Sequence, residues 1–257
     1  MIDPLYTFSG FVVGALVGLT GVGGGSLMTP LLVLLFGVHP ATAVGTDLLY
    51  AACTKSAGVL VHARRQTVDW LVTRRLAAGS LPAAALTLLL LQQLHVHTAA
   101  VSRVITPVLG VAILLTVLLL LSQNRLLAVL GPHSAELSPP WSRGLTMAAG
   151  AVLGVLVTLT SVGAGALGVT ALTLLYPRLS PVRIVGSDIA HAIPLTLLAG
   201  AGYWYLGAVD WGLLGSLLSG SVPGVVVGSL LATRVPISVV RGTLAATLVL
   251  VAGKLLA

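Results

Sequence analysis

Apolar residues run almost without interruption through six stretches of this chain: Ala41 to Val61, Leu76 to Leu94, Val104 to Leu121, Ile184 to Leu206, Leu213 to Ala232 and Ile237 to Leu256. Each is about 20 residues long, enough for a helix to cross about 30 Å of hydrocarbon. Polar positions collect between them. The pattern therefore predicts an all-α integral membrane protein with no stretch left for a soluble catalytic domain. Two further apolar regions, Leu5 to Phe36 and Leu145 to Tyr176, carry glycines near their centres. As one continuous helix each would reach about 48 Å at 1.5 Å per residue, too long for the bilayer core unless steeply tilted. Two arms of about 22 Å meeting at a glycine turn fit better, as a broken helix that enters and leaves on one face.

The second glycine-bearing region repeats the first. Gly14 to Leu27 reads GALVGLTGVGGGSL, and Gly154 to Leu167 reads GVLVTLTSVGAGAL. VGTDL at Val44 matches VGSDI at Val185, VDW at Val68 recurs at Val209, and GSLP at Gly79 returns as GSVP at Gly220. Order and spacing agree at an offset of about 140 residues, the mark of an internal repeat. The predicted organisation is a first transmembrane repeat over residues 1–122, a linker over 123–143 around GPHSAELSPP, and a second transmembrane repeat over 144–257. A re-entrant hairpin followed by three spans crosses the membrane an odd number of times, so the second repeat would be inverted relative to the first.

Basic residues favour that reading. Setting aside Lys55 within a span, inversion places Arg64, Arg65, Arg74, Arg75, Arg125, Arg143, Arg178, Arg183, Arg234 and Arg241 on one side and Arg103 and Lys254 on the other. Cytoplasmic loops carry the excess of Lys and Arg, so both termini would face out. Reading the first region of each half as a full span gives a far weaker bias. The chain begins without a basic residue before its first apolar run, so no removable signal peptide is expected.

Composition agrees with the pattern: 57% of residues are hydrophobic and 7% charged, with mean hydropathy +1.08. The formal charge of +7 would suggest a nucleic-acid partner, but the basic residues lie between apolar segments, where they orient the protein in the bilayer. Cys53 stands alone within a span, which excludes an internal disulfide and a cysteine metal cluster and suggests a small packing residue. His95, His97 and His133 match no metal-ligand spacing. No cofactor is expected.

Irregular backbone at membrane depth is tolerated only where protein or a water-filled cavity surrounds it. Gly21, Gly23, Gly24 and Gly25, with Val22 among them, and Gly163 and Gly165 in the second copy let backbone amides turn toward one point. The helix arm after each tip offers its N-terminal amides and partial positive charge to a small anion. Thr20, Ser26, Thr160 and Ser161 add hydroxyl donors. The alternative is that the glycines only permit close helix packing, as Gly10, Gly14 and Gly18 do at four-residue spacing. No Gly-Lys-Ser/Thr follows, so the run is not a P-loop.

Asp47 and Asp188 hold matched positions inside a span, where burial of a carboxylate is costly and points to function. Two roles are open: fixing the broken helix by accepting tip hydrogen bonds, or taking up a proton during transport. Lys55, two turns after Asp47, is a candidate charge partner for a substrate or for the aspartate. His191 lies one turn after Asp188 and is matched by Tyr50; a proton relay and a hydrogen-bonded structural role both fit. Asp69 and Asp210 of the VDW copies suit helix caps, with Trp70 and Trp211 at headgroup depth.

The GVGGG run with Pro30, the AVGTDL after the next loop and the duplication resemble the TauE/SafE family of sulfite exporters, grouped with toluene-sulfonate uptake permeases. The similarity covers essentially the whole chain. It implies a prokaryotic inner-membrane transporter of small sulfur-containing anions such as sulfite, sulfoacetate or other organosulfonates. Protons taken up at Asp47 or Asp188 are the candidate coupling ion, and no nucleophile with its base and no metal-ligand set points to an enzyme. The second copy has Ser161, Ala164 and Ala166 where the first has Gly21, Gly24 and Ser26, so the two tips need not share the work equally. A cation or neutral-solute carrier using Asp47 and Asp188, and an anion channel, are the alternatives. Gly220, Gly224 and Gly228 allow close packing within one chain or across a homodimer.

Overall fold

The computed structural model describes residues 3–20, 25–64, 67–130, 139–231 and 237–256; of residues 20, 25, 26, 57–64, 120, 123–130, 139, 229, 237–241, 243 and 244 it describes the backbone alone. The described residues form helices throughout: α1 (Pro4–Thr20), α2 (Gly25–Leu34), α3 (Pro40–Arg64), α4 (Trp70–Gln93), α5 (Ala99–Leu130), α6 (Pro139–Thr160), α7 (Ala166–Leu175), α8 (Pro181–Tyr205), α9 (Trp211–Leu231) and α10 (Ile237–Leu256). Among them five segments are long and apolar enough to cross a membrane: Trp70–Gln93, Ala99–Leu119, Pro140–Thr160, Pro181–Tyr205 and Trp211–Gly228. This is a multi-pass membrane protein.

Both glycine-bearing regions are broken where the sequence places the break. α1 ends at Thr20 and α2 starts at Gly25; α6 ends at Thr160 and α7 starts at Ala166. The feet of each pair lie together. Tyr6 of α1 meets Phe36, just beyond α2, edge to face with ring centroids 4.9 Å apart. In α6 the Thr146 hydroxyl lies 2.8 Å from the Tyr176 hydroxyl, just beyond α7. Each region therefore turns back toward the side it came from. Between the two regions, α5 continues to Leu130 and α6 begins at Pro139. Two prolines at Pro139 and Pro140 suit a first helical turn, whose amides need no intrahelical acceptor.

The helices pack across the repeat rather than within it. Side chains at Gly10 and Gly14 of α1 would collide with the α9 backbone at Leu217 and Ser221, and side chains at Gly220, Gly224 and Gly228 with α1 at Thr7, Phe11 and Ala15. Residue numbers rise together, so α1 and α9 run parallel. α4 and α6 form the matching parallel pair, with Gly79 on Met147, Gly150 on Leu76 and Gly154 on Ser80. α3 and α8, by contrast, run antiparallel: Gly45 lies on Tyr203 and Ala208, Gly200 on Leu49, and Gly186 on Thr67. The hairpin feet consequently lie at opposite ends of α3, with Phe36 beside its start and Tyr176 bonded to Arg75, just beyond its end (3.1 Å). The α9 glycines serve this intramolecular seam.

Candidate functional site

α6 stops at Thr160 because its hydroxyl caps the turn, accepting from the Val162 amide at 3.1 Å and donating to Leu156 O at 2.6 Å. That hydroxyl is engaged by the tip's own backbone. The chain then passes through left-handed conformations at Ser161 (φ 59°), Gly163 (φ 123°) and Gly165 (φ 131°). Glycine adopts such values without strain, whereas Ser161 is held there. Gly165 is the N-cap of α7 and offers no side-chain acceptor; the Gly168 amide of the first turn donates to Gly163 O at 3.2 Å, and the partial positive charge of the helix start is directed at the tip. At the first tip, Thr20 closes α1 and Gly25 and Ser26 open α2. Gly21, Val22, Gly23 and Gly24, and the side chains of Thr20 and Ser26, lie outside the described residues.

Three ionisable side chains from α3 and α8 converge on the second tip. Lys55 Nζ donates to Ala164 O at 3.2 Å, joining the first half to the tip of the second. Its ammonium acts on both Asp47 and Asp188. Asp47 is fully buried, and its Oδ2 accepts from the Thr29 hydroxyl of α2 at 2.6 Å. The Ser161 hydroxyl lies beside the same carboxyl. Asp188 is 1% exposed and abuts Gly168 of α7, where a Cβ would collide with its Oδ1. Near Lys55, then, Asp47 Oδ1, Asp188 Oδ1, Ser161 Oγ and His191 Nδ1 are buried without a geometric hydrogen bond among the described residues. Leaving a buried polar atom unpaired costs about 1–3 kcal/mol.

His191 is fully buried, and its Nε2 lies 2.7 Å from Ser80 Oγ of α4. Tyr50, its counterpart, faces Ser221 of α9. Two residues that the sequence reading missed complete the pattern. Ser187 of α8 accepts from the Asp69 amide at 2.8 Å, and Thr46 of α3 accepts from the Asp210 amide at 3.1 Å. Each VG(T/S)D motif thus tethers the VDW loop of the other half with its hydroxyl residue and lines the centre with its aspartate. The signal was present, since Thr46 with Ser187 and Ser80 with Ser221 are hydroxyl residues at both matched positions.

The VDW caps form as expected. Asp69 Oδ1 accepts from the Leu71 and Val72 amides, Asp210 Oδ1 accepts from Leu213 N, and Trp70 and Trp211 are exposed. Cys53 is exposed rather than packed. Among the described residues no group of three or more His, Cys, Asp or Glu is placed to hold a metal ion.

The model of the family described as Sulfite exporter TauE/SafE matches residues 6–255. The chain is 41% identical over 218 residues to the probable membrane transporter protein YjnA of Bacillus subtilis (strain 168), covering 84% of this chain and 85% of that one. It is 29% identical over 219 residues to the probable membrane transporter protein YdhB of the same organism, covering 83% and 84%. A third relative there, the probable membrane transporter protein YunE, is 41% identical over 70 residues, 27% of this chain and 26% of its own. No solved structure matches the chain.

Proposed function

Because the chain belongs to the sulfite exporter TauE/SafE family of membrane transporters, we propose that it is a secondary transporter moving a small sulfur-containing anion, sulfite or an organosulfonate such as sulfoacetate, across a prokaryotic inner membrane. One observation carries the anion reading. The Lys55 ammonium sits at the tip carbonyl of Ala164, next to the amide end of α7, and the atoms around it lack partners. A sulfonate or sulfite oxygen beside Lys55 would meet a full positive charge, helix-terminal amides and the Ser161 hydroxyl together. The anion would lie between the two hairpin tips, and rocking of one half against the other would expose it alternately to each side.

Charge balance motivates coupling. With Asp47, Asp188 and Lys55 all ionised, two negative charges face one positive charge. An anion entering that cluster adds like charge in a poorly screened interior, and a proton entering with it removes the conflict. Proton coupling through Asp47 or Asp188 follows. The positive-inside bias puts both termini on the outer side.

The test is uptake into proteoliposomes of radiolabelled sulfite, with sulfoacetate, thiosulfate and taurine as competitors, alongside thermal stabilisation of the purified protein by each compound. Saturable uptake, competition by a sulfonate and a rise in melting temperature are expected. Transport of inorganic cations with none of these anions competing would replace this reading by the cation carrier that the two carboxyls favour; Asp47→Asn and Asp188→Asn would then each abolish binding.

A further inference from the structure

The two matched aspartates differ in what holds them. Asp47 receives a hydroxyl hydrogen bond of 2.6 Å from Thr29, the fifth residue of α2, and this bond ties the first hairpin to α3. The fifth residue of α7 is also a threonine, Thr170, but its hydroxyl donates to Ala166 O at 2.7 Å, within its own helix. Asp188 therefore lacks that donor and lies against the bare backbone of Gly168, its Oδ1 buried and without a partner. Lys55 acts through space on both carboxyls; among the described residues Asp47 has a hydroxyl donor beside it as well, while no hydrogen bond among them reaches Asp188 Oδ1.

From this asymmetry we infer that Asp188 takes up and releases the coupling proton, while Asp47 stays charged and keeps the first hairpin docked. The inference rests on the anion-proton reading of the same site and divides its work between two residues. Among the described residues the groups facing Asp188 are few. α3 brings Lys55, α7 brings Gly168, and α8 itself brings His191, whose Nε2 is bonded to Ser80 of α4. The ionisable side chains of α4 and α6 are Arg74, Arg75 and Arg143, all near the N-terminal ends of those helices.

The balance is one proton per monovalent anion. Water on one side donates a proton to the Asp188 carboxylate. Asp47 and Lys55 then sum to zero, and the anion joins a neutral cluster. After rocking, anion and proton leave together, and the cluster regains one net negative charge. The cycle moves no net charge. His191 Nδ1, buried and without a partner among the described residues, lies one turn from Asp188 on α8.

Two measurements test this. In wild-type proteoliposomes, a carbodiimide that reacts with protonated buried carboxyls is applied between pH 5 and 8, and the modified residue is located by peptide mass spectrometry. Modification of Asp188, increasing as pH falls, with Asp47 unmodified, is expected; modification of Asp47 in preference, or of neither, overturns the assignment. The second uses methanesulfonate, whose single charge does not titrate, as the transported probe. In wild type an inward gradient of one pH unit should drive up to about tenfold accumulation, and an imposed membrane potential none. Asp188→Asn should retain exchange of internal for external probe, lose the response to pH and gain one to potential, because its cluster is permanently neutral.

Unchanged pH-driven accumulation in Asp188→Asn, or the same uncoupled behaviour in Asp47→Asn, overturns the assignment. Should Asp188→Asn fail to yield monodisperse protein, the carbodiimide result on wild type decides. If wild type carries no anion at all, the transport reading fails, and the carbodiimide pattern still reports whether Asp188 is the protonating group.

Discussion

Thr29 and Thr170 have the same side chain at the same place in their helices, and what separates them is a neighbour's position. Thr29 reaches the aspartate of its half; Thr170 turns back on its own helix. Replacing Thr29 by valine removes the donor to a buried carboxylate and should cost about 1–3 kcal/mol, read as a lower melting temperature in detergent. Thr170→Val, which breaks only a bond within α7, should leave it nearly unchanged. Lys55 carries the strongest prediction for binding. A hydrogen bond to a charged group is worth about 1.5–3 kcal/mol, so Lys55→Met should weaken anion affinity by about 10- to 100-fold, measured by competition against labelled substrate. At this scale the sequence exposed Asp47, Asp188, Lys55 and His191, because charge inside a span is conspicuous whatever surrounds it. Their partners were not legible, since Thr29, Ser161, Ser80 and Ala164 are ordinary residues until folding brings them together.

At the scale of elements, glycine does two separate jobs. At Gly163 and Gly165 it permits left-handed backbone, and there the helix ends. Along α1, α4, α6 and α9 it removes side chains so that two backbones touch. α9 provides an internal comparison. A Cβ at Gly220 would collide with the Thr7 carbonyl, while one at Gly215 meets nothing within 4 Å. Gly220→Leu should destabilise the α1–α9 seam by about 1–3 kcal/mol or prevent folding, while Gly215→Leu should be almost silent, both read as yield of monodisperse protein and melting temperature. Four-residue spacing announced close packing in the sequence but did not name the partner helix. The breaks themselves were legible, because an apolar region too long for one span and studded with glycine has few other solutions in lipid.

Across the whole molecule the seams join opposite halves: α1 with α9, α4 with α6, α3 with α8. The Ser187–Asp69 and Thr46–Asp210 tethers lie near opposite ends of the antiparallel α3–α8 pair, where an alternating-access cycle would open one while the other stays closed. The first carries an extra ion pair, Arg183 to Asp69 at 3.3 Å, which Thr42 cannot supply at the matched position beside Asp210. Labelling with a membrane-impermeant thiol reagent tests the arrangement: in a Cys53→Ser background, single cysteines at Trp141 and Trp211 should react from opposite sides, and reaction from one side would refute it.

Acid should also loosen the molecule at one foot. His39, just before α3, has its Nε2 bonded to Ser102 at 2.9 Å and its ring 5.8 Å from that of His97. Burial, with the charge of His97, lowers its pKa from the ordinary 6.5. The unfolded chain then binds more protons than the folded one as pH falls through about 6.5, so stability declines on acidification. The melting temperature should drop between pH 7.5 and 5.5, and His39→Gln should flatten that drop.

The sequence by itself determined that the chain is a membrane protein, where its helices run and break, and that it is built twice, because lipid enforces an apolar composition and forbids unsatisfied backbone. It also fixed which few ionisable groups lie at depth. Tertiary structure alone decided which half each of them serves. Lys55 belongs in sequence to the first half yet holds the tip of the second, and two equivalent aspartates acquire different surroundings through one threonine hydroxyl. Those outcomes depend on angstrom-scale contacts between separate helices, 109 residues apart for Lys55 and Ala164 and 18 for Thr29 and Asp47, and no local pattern encodes such contacts.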